Sequence, residues 1–104
     1  MNQIDAAIKT GTRTVELHTG RYADALNVTE ENKYFRQIER AAKYAKARDL
    51  IVNAGHGLDY FNTTRIAGIK EIEELNIGYS IICKAVLVGL EQAVQEMKEL
   101  AKGK

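Results

Sequence analysis

Apolar residues recur along this chain in two alternating rhythms, and the alternation predicts its elements. Ile4, Ala7 and Ile8 fall on one helical stripe, so a short helix is expected from about Asn2 to Thr10, with Gly11 as its stop. From Thr12 to His18 the period becomes two, with Val15 and Leu17 on one face and Thr14, Glu16 and His18 on the other, as in a strand. After Thr19-Gly20 a polar loop is expected up to Val28. Thr29 is the expected N-cap of a long helix whose first turn carries Glu30 and Glu31, where carboxylates suit the helix dipole. Tyr34, Phe35, Ile38, Ala41, Ala42 and Ala45 form its apolar stripe, and Arg36, Glu39, Arg40, Lys43 and Lys46 fill the solvent side.

The same succession follows twice more. Leu50 to Ala54 is an apolar run entering Gly55-His56-Gly57, and Asn62-Thr63-Thr64 opens a helix through about Ile69. Glu73 to Ile77 is the third strand, closed by Gly78 and followed by a nearly all-apolar helix from Tyr79 to Val88. Leu90, Ala93, Val94, Met97, Leu100 and Ala101 mark a last amphipathic helix ending near Lys102-Gly103. Three strands near 12–18, 50–54 and 73–77, each ending at glycine and feeding a helix, predict an α/β chain of βαβ units with parallel strands. No linker interrupts the order, so residues 1–104 are expected to form a single domain.

Composition narrows the class of partner. Fifteen Lys and Arg against fourteen Asp and Glu leave a net charge of +1, which argues against a footprint for nucleic acid or an anionic membrane but leaves room for a local anion site. One cysteine cannot form an intrachain disulfide, so a reducing, cytoplasmic setting is expected. The longest apolar stretch, Ile81 to Leu90, is interrupted by Lys84 and falls short of the roughly 20 residues of a membrane span. The first residues show no basic segment followed by an apolar one, so no secretory signal is expected.

Polar residues collect where the strands run out: Glu16 and His18, Asn53 and His56, and Asn76. Ligands of parallel α/β folds bind at that edge. A carboxylate inside a strand must be met by something polar, so Glu16 is either a site residue or a structural group, half of an ion pair or a rim charge. His56 stands between two glycines, where an imidazole, titrating near pH ~6.5 when unperturbed, serves acid–base chemistry or is a loop histidine satisfied by backbone groups. Glu16, His18 and His56 are a metal set only if the fold converges them, which no local spacing enforces, and none is expected. Gly78 precedes a helix whose first amides suit a phosphate, or else it serves only the turn. Cys83 is expected to be a small core residue, and Tyr60 and Phe61 to pack under the histidine loop or cover a ligand.

Three segments together carry a resemblance: Val15-Glu16-Leu17-His18-Thr19-Gly20-Arg21-Tyr22-Ala23, Val52-Asn53-Ala54-Gly55-His56-Gly57-Leu58 and Glu74-Leu75-Asn76-Ile77-Gly78. With Ala85-Val86-Leu87-Val88-Gly89-Leu90 and Ala93-Val94, they make the chain similar to the C-terminal part of the pyridoxine 5'-phosphate synthase family of vitamin B6 biosynthesis. The resemblance implies about three βα units of a (β/α)8 TIM barrel, a fold that takes about 250 residues when closed. It implies an enzyme joining 1-deoxy-D-xylulose 5-phosphate to 3-amino-2-oxopropyl phosphate, with phosphate and water released and no redox cofactor. His56 would be its proton donor and Glu16 would stabilise a transition state, while Gly57, Gly78 and residue 79 would bind the aminoketone phosphate. Most members carry histidine where this chain has Tyr79. The family's proton-accepting histidine and glutamate belong to earlier barrel strands and have no counterpart here, so the expected partners are phosphorylated small molecules and either the missing N-terminal barrel portion or further copies in a homo-oligomer. The competing expectation is a non-catalytic α/β fragment that holds a phosphate or associates with itself to cover its sheet edges.

Overall fold

The computed structural model describes residues 2–102, in the order α1 (Asn2–Lys9), β1 (Thr14–His18), α2 (Gly20–Ala23), α3 (Val28–Lys46), β2 (Ile51–Gly55), α4 (Thr63–Ala67), β3 (Ile72–Asn76), α5 (Tyr79–Val88) and α6 (Leu90–Lys102). The strands form one sheet in the order β1-β2-β3, and both pairings are parallel, as the strand–glycine–helix succession predicts. Gly103, expected near the end of the last helix, lies outside the described residues.

Alternation along the strands separates two faces. Val15, Leu17, Val52, Ala54, Ile72 and Leu75 meet Ile38, Ala42 and Ala45 of α3 and Ile66 of α4 in one apolar cluster, closed at its edge by Ile4 and Tyr22. Val52, Ala54, Ile66, Ala42 and Ala45 are fully buried, and each large side chain among them contributes about 1.5–3 kcal/mol by leaving water. The opposite face carries Thr14, Glu16, His18, Ile51, Glu74 and Asn76, all exposed, with Asn53 half-buried among them. Parallel sheets are ordinarily covered on both faces. Here the polar face lies open, and the amide oxygen of Asn53 is buried beneath it without a hydrogen-bond partner among the described residues.

Several local expectations are corrected. Asn27, not Thr29, caps α3: its side chain accepts from Glu30 N at 2.9 Å, and Glu30 Oε2 accepts in return from Leu26 N at 3.2 Å. The two bonds make a reciprocal cap that an N-cap at Thr29 would forgo. Within the expected polar loop lies α2, a single turn too short to show helical periodicity. Helix α5 is apolar but has no buried residue, because it leans chiefly on α6 and leaves Ile82, Val86 and Leu87 to solvent. Cys83 on that helix is therefore exposed rather than a core residue. Phe61 is 98% exposed, so it does not pack under the histidine loop. The half-buried Tyr60 does anchor that loop, donating its hydroxyl to Ala93 O of α6 at 2.6 Å.

Tyr22 ties the strand ends to the helical layer. It is 2% exposed, its ring lies 6.2 Å from that of Phe35, and its hydroxyl donates to Asn62 O at 2.8 Å. Burial, with the Glu31 carboxylate second, pushes its phenol above the ordinary value of 10.0. Below that value the phenol is neutral in both folded and unfolded chains; above it the unfolded chain ionises first, so stability falls as pH rises toward the folded value. Tyr22→Phe is expected to cost about 0.5–1.5 kcal/mol near neutral pH and to flatten part of the alkaline decline. Urea unfolding midpoints between about pH 8 and 11 check this, and an unchanged alkaline slope would contradict it.

Candidate functional site

Parallel pairing brings all three strand ends to one edge. The register sets Glu16 beside Asn53 and His18 beside Gly55 on one side, and Asn53 beside Glu74 and Gly55 beside Asn76 on the other. Asn76 Nδ2 donates across the sheet to Glu16 Oε1. That amide and solvent are the polar partners that an in-strand carboxylate requires. Among the described residues Glu16 enters no ion pair, so the structural ion-pair reading fails.

Beyond β2 the chain turns through two consecutive left-handed residues, His56 at φ 89° and Gly57 at φ 78°. For a histidine that conformation costs about 1–3 kcal/mol and needs outside support. Fully buried Thr19 supplies it. Its amide donates to Gly55 O at 2.9 Å, and its hydroxyl lies 2.8 Å from Gly55 O and 2.6 Å from His56 O, sharing one proton between two carbonyls. The His56 carbonyl is thereby satisfied, whereas its imidazole is exposed and makes no hydrogen bond among the described residues. Both ring nitrogens are thus open to a ligand. The His18 ring stacks on that of His56 with centroids 4.1 Å apart and planes inclined by 28°, and His18 Nδ1 accepts from Gly20 N at 3.2 Å.

Gly57 and Gly78 differ in what they demand. A Cβ at Gly57 would stand 2.7 Å from Ala23 Cβ, on a backbone that side chains avoid. Gly78, at φ −135°, has nothing within 4 Å of such a Cβ, so the turn itself does not require glycine there. The space over its backbone is available to a ligand. The first intrahelical bond of α5 runs from Ile82 N to Gly78 O, which leaves the amides of Tyr79, Ser80 and Ile81 without helical partners. Ser80 Oγ donates to Leu58 O at 3.0 Å and joins this helix start to the His56 loop.

A cavity of about 810 Å³ opens at this edge, and Glu16, His56, Gly57, Gly78 and Tyr79 all line it. The five residues to which the resemblance points are thus brought together, with Asn76 beside them. Tyr79 stands at the rim, 86% exposed. Lys84, unassigned from the sequence because it interrupts an apolar run, also lines the cavity; its Nζ lies 3.7 Å from Glu96 Oε2 and 5.3 Å from the Tyr60 ring centroid. His18 lies outside the cavity wall, in a neighbouring depression with Arg21 and Tyr34. Glu16, His18 and His56 do not form a ligand set, and among the described residues no three His, Cys, Asp or Glu side chains are grouped to hold a metal ion. The roles of Thr19 and Gly20 had no sequence signal, since both act through contacts with a loop 36 residues away.

A family described as "Pyridoxal phosphate biosynthesis protein PdxJ" matches residues 1–103. Curated relatives named "Pyridoxine 5'-phosphate synthase" include one from Sulfurihydrogenibium sp., 55% identical over 98 residues that make up 94% of this chain and 40% of the relative. The protein of that name from Gloeothece citriformis is 48% identical over 97% of this chain and 42% of its own length. The one from Blochmanniella floridana is 46% identical over 98% of this chain and 41% of its own length. The chain spans about two fifths of the length of these relatives.

The two glycines predict opposite outcomes. Gly57→Ala meets both a left-handed backbone and a 2.7 Å clash, and is expected to lower stability by about 1–3 kcal/mol. Gly78→Ala, with open space at its Cβ, is expected to stay within about 0.5 kcal/mol of the parent. Chemical denaturation of the two variants side by side measures the difference, and equal losses would refute this account of the loop.

Proposed function

The chain belongs to the PdxJ family of pyridoxal phosphate biosynthesis proteins, and on that premise we propose that it supplies the C-terminal portion of a (β/α)8 pyridoxine 5'-phosphate synthase. In this reading residues 1–104 are one partial-barrel domain, working in the cytoplasm with the remaining strands or further copies of the chain as partners. The substrates are 1-deoxy-D-xylulose 5-phosphate and 3-amino-2-oxopropyl phosphate. Their condensation gives pyridoxine 5'-phosphate, one phosphate and two waters, and needs no redox cofactor.

One observation carries the reading: Glu16, His56, Gly57, Gly78 and Tyr79 share a single cavity at the carboxyl ends of parallel strands, the functional edge of a barrel. Condensation of an amine with a ketone develops positive charge at nitrogen and expels a hydroxyl as water. Glu16, steadied by Asn76, offers the carboxylate for that charge. His56 offers an imidazole with no competing hydrogen bond among the described residues, a group suited to passing a proton to a departing oxygen. The backbone at Gly57 and Gly78 and the unpaired amides at the start of α5 hold the phosphate of the aminoketone, with the Tyr79 hydroxyl at the rim. The base that starts the condensation must come from outside this chain.

A second reading, a non-catalytic self-associating fragment, is favoured by the exposed Ile82, Val86 and Leu87 of α5. Complementation separates the two. Mixing the chain with a separately produced N-terminal portion of the Sulfurihydrogenibium relative is expected to yield pyridoxine 5'-phosphate. His56→Ala should lower that turnover by about 100-fold or more without changing assembly in sedimentation. A folded, assembled mixture with no turnover would leave the second reading standing.

A further inference from the structure

We propose that His18 is a positioning residue for His56: its ring is an aromatic platform, outside the cavity wall, that fixes the orientation of the His56 imidazole. The kinetic consequence rests on the reading of His56 as proton donor; the structural claim does not.

Among the described residues the His56 side chain has no hydrogen bond to define its ring angle, and it sits on an exposed loop. A side chain so placed ordinarily samples several rotamers, which disperses a proton donor over geometries most of which cannot react. Its ring is restrained by the His18 ring, stacked at 4.1 Å. That platform is itself fixed, because Gly20 N donates to His18 Nδ1 at 3.2 Å. A bond accepted at Nδ1 holds the His18 ring against rotation about its Cβ–Cγ bond.

Gly20 provides an independent observation. A Cβ there would lie 2.5 Å from His18 Cε1, 3.0 Å from His18 Nδ1 and 3.1 Å from His56 Cδ2. The two rings together occupy the space a side chain would fill. The tripeptide His18-Thr19-Gly20 thus acts on His56 in three ways: His18 fixes its ring, Thr19 holds its carbonyl, and Gly20 leaves room for the stack. Since His18 lines the neighbouring depression and not the cavity of His56, it acts through His56 and not on a ligand.

The test uses the full chain labelled with ¹³C and ¹⁵N, as the parent and as His18→Leu, His18→Phe and Gly20→Ala. In the parent, cross-ring NOEs between the two histidines are expected. In His18→Leu and Gly20→Ala the His56 ring resonances should lose the ring-current shift of the stack, while His18→Phe should keep it and the backbone amide spectrum of α3 and α6 should stay unchanged. If His18→Leu does not fold, His18→Gln replaces it, since glutamine keeps an acceptor for Gly20 N and removes the ring. In the complemented assembly, His18→Leu and Gly20→Ala should lower kcat about 10- to 100-fold with KM for both substrates within about twofold, and His18→Phe should restore most of the loss. His56 ring signals that do not respond to removal of the His18 ring would overturn the proposal. So would a phenylalanine variant as inactive as leucine with the stack intact, which would make His18 an acid or base in its own right. If the parent assembly shows no turnover, the functional reading fails, and the NMR comparison alone decides the positioning role.

Discussion

The placement of polar groups at the strand ends depends on one irregularity in the sheet. Val52 pairs with Ile72, but the next residue of β2, Asn53, pairs with Glu74, so the register shifts by one and Glu73 is left over. In a regular ladder Asn76 would share the face of Ile72 and point into the helical layer. The extra residue lets Ile72 and Leu75 both reach the core while Glu74 and Asn76 turn to the polar face. Asn76 can then donate to Glu16 two strands away. The same approach brings β2 and β3 so close that a Cβ at Gly55 would lie 2.9 Å from Asn76 O. Glycine at the end of β2 and the bulge before the end of β3 are therefore linked conditions for the geometry around Glu16.

On the other side of β2, stability and strain meet in the His56 loop. A left-handed histidine carries a penalty of about 1–3 kcal/mol, and each hydrogen bond from Thr19 returns about 0.5–1.5 kcal/mol, so the two are of the same order. Burial of Thr19 makes those bonds hard to exchange for water, because an unmet hydroxyl or carbonyl in that position would be desolvated without a partner. Ser80 and Tyr60 extend the fastening, one to the start of α5 and the other to α6. The loop is thus held at its carbonyls and along its flank, while the imidazole of His56 makes no hydrogen bond among the described residues.

Much of this was legible in the sequence. Alternation at Val15 and Leu17, the apolar run into Gly55 and the stripe from Tyr34 to Ala45 identified the strands and α3, because burial of one face imposes a period on the chain. The five candidate residues could be named because strand ends, glycines and a histidine are local features, and because their order resembled a family. What escaped reading was non-local or too short to repeat. The reciprocal cap at Asn27 and the single turn of α2 lack periodicity, and the bulge at Glu73 is invisible in a run where either register offers alternating residues. Cys83 is exposed for a different reason: apolar composition signals burial, but not which partner provides it.

The partners these surfaces lack bear on how the chain relates to the rest of a barrel. Its two uncovered surfaces ask for different covers. The polar sheet face, with Glu16, Asn53 and Glu74 in one row, suits the inward side of a closed sheet, where side chains from other strands complete the layer and the buried Asn53 oxygen finds a donor. The outer edges of β1 and β3 ask for backbone pairing, which only strands can supply. The α5 surface of Ile82, Val86 and Leu87 asks instead for apolar contact and does not care about hydrogen bonds. Barrel closure would satisfy the first two demands, and association between folded units would satisfy the third. On the proposed function these are separate events, and covering α5 by self-association would not by itself supply the missing base.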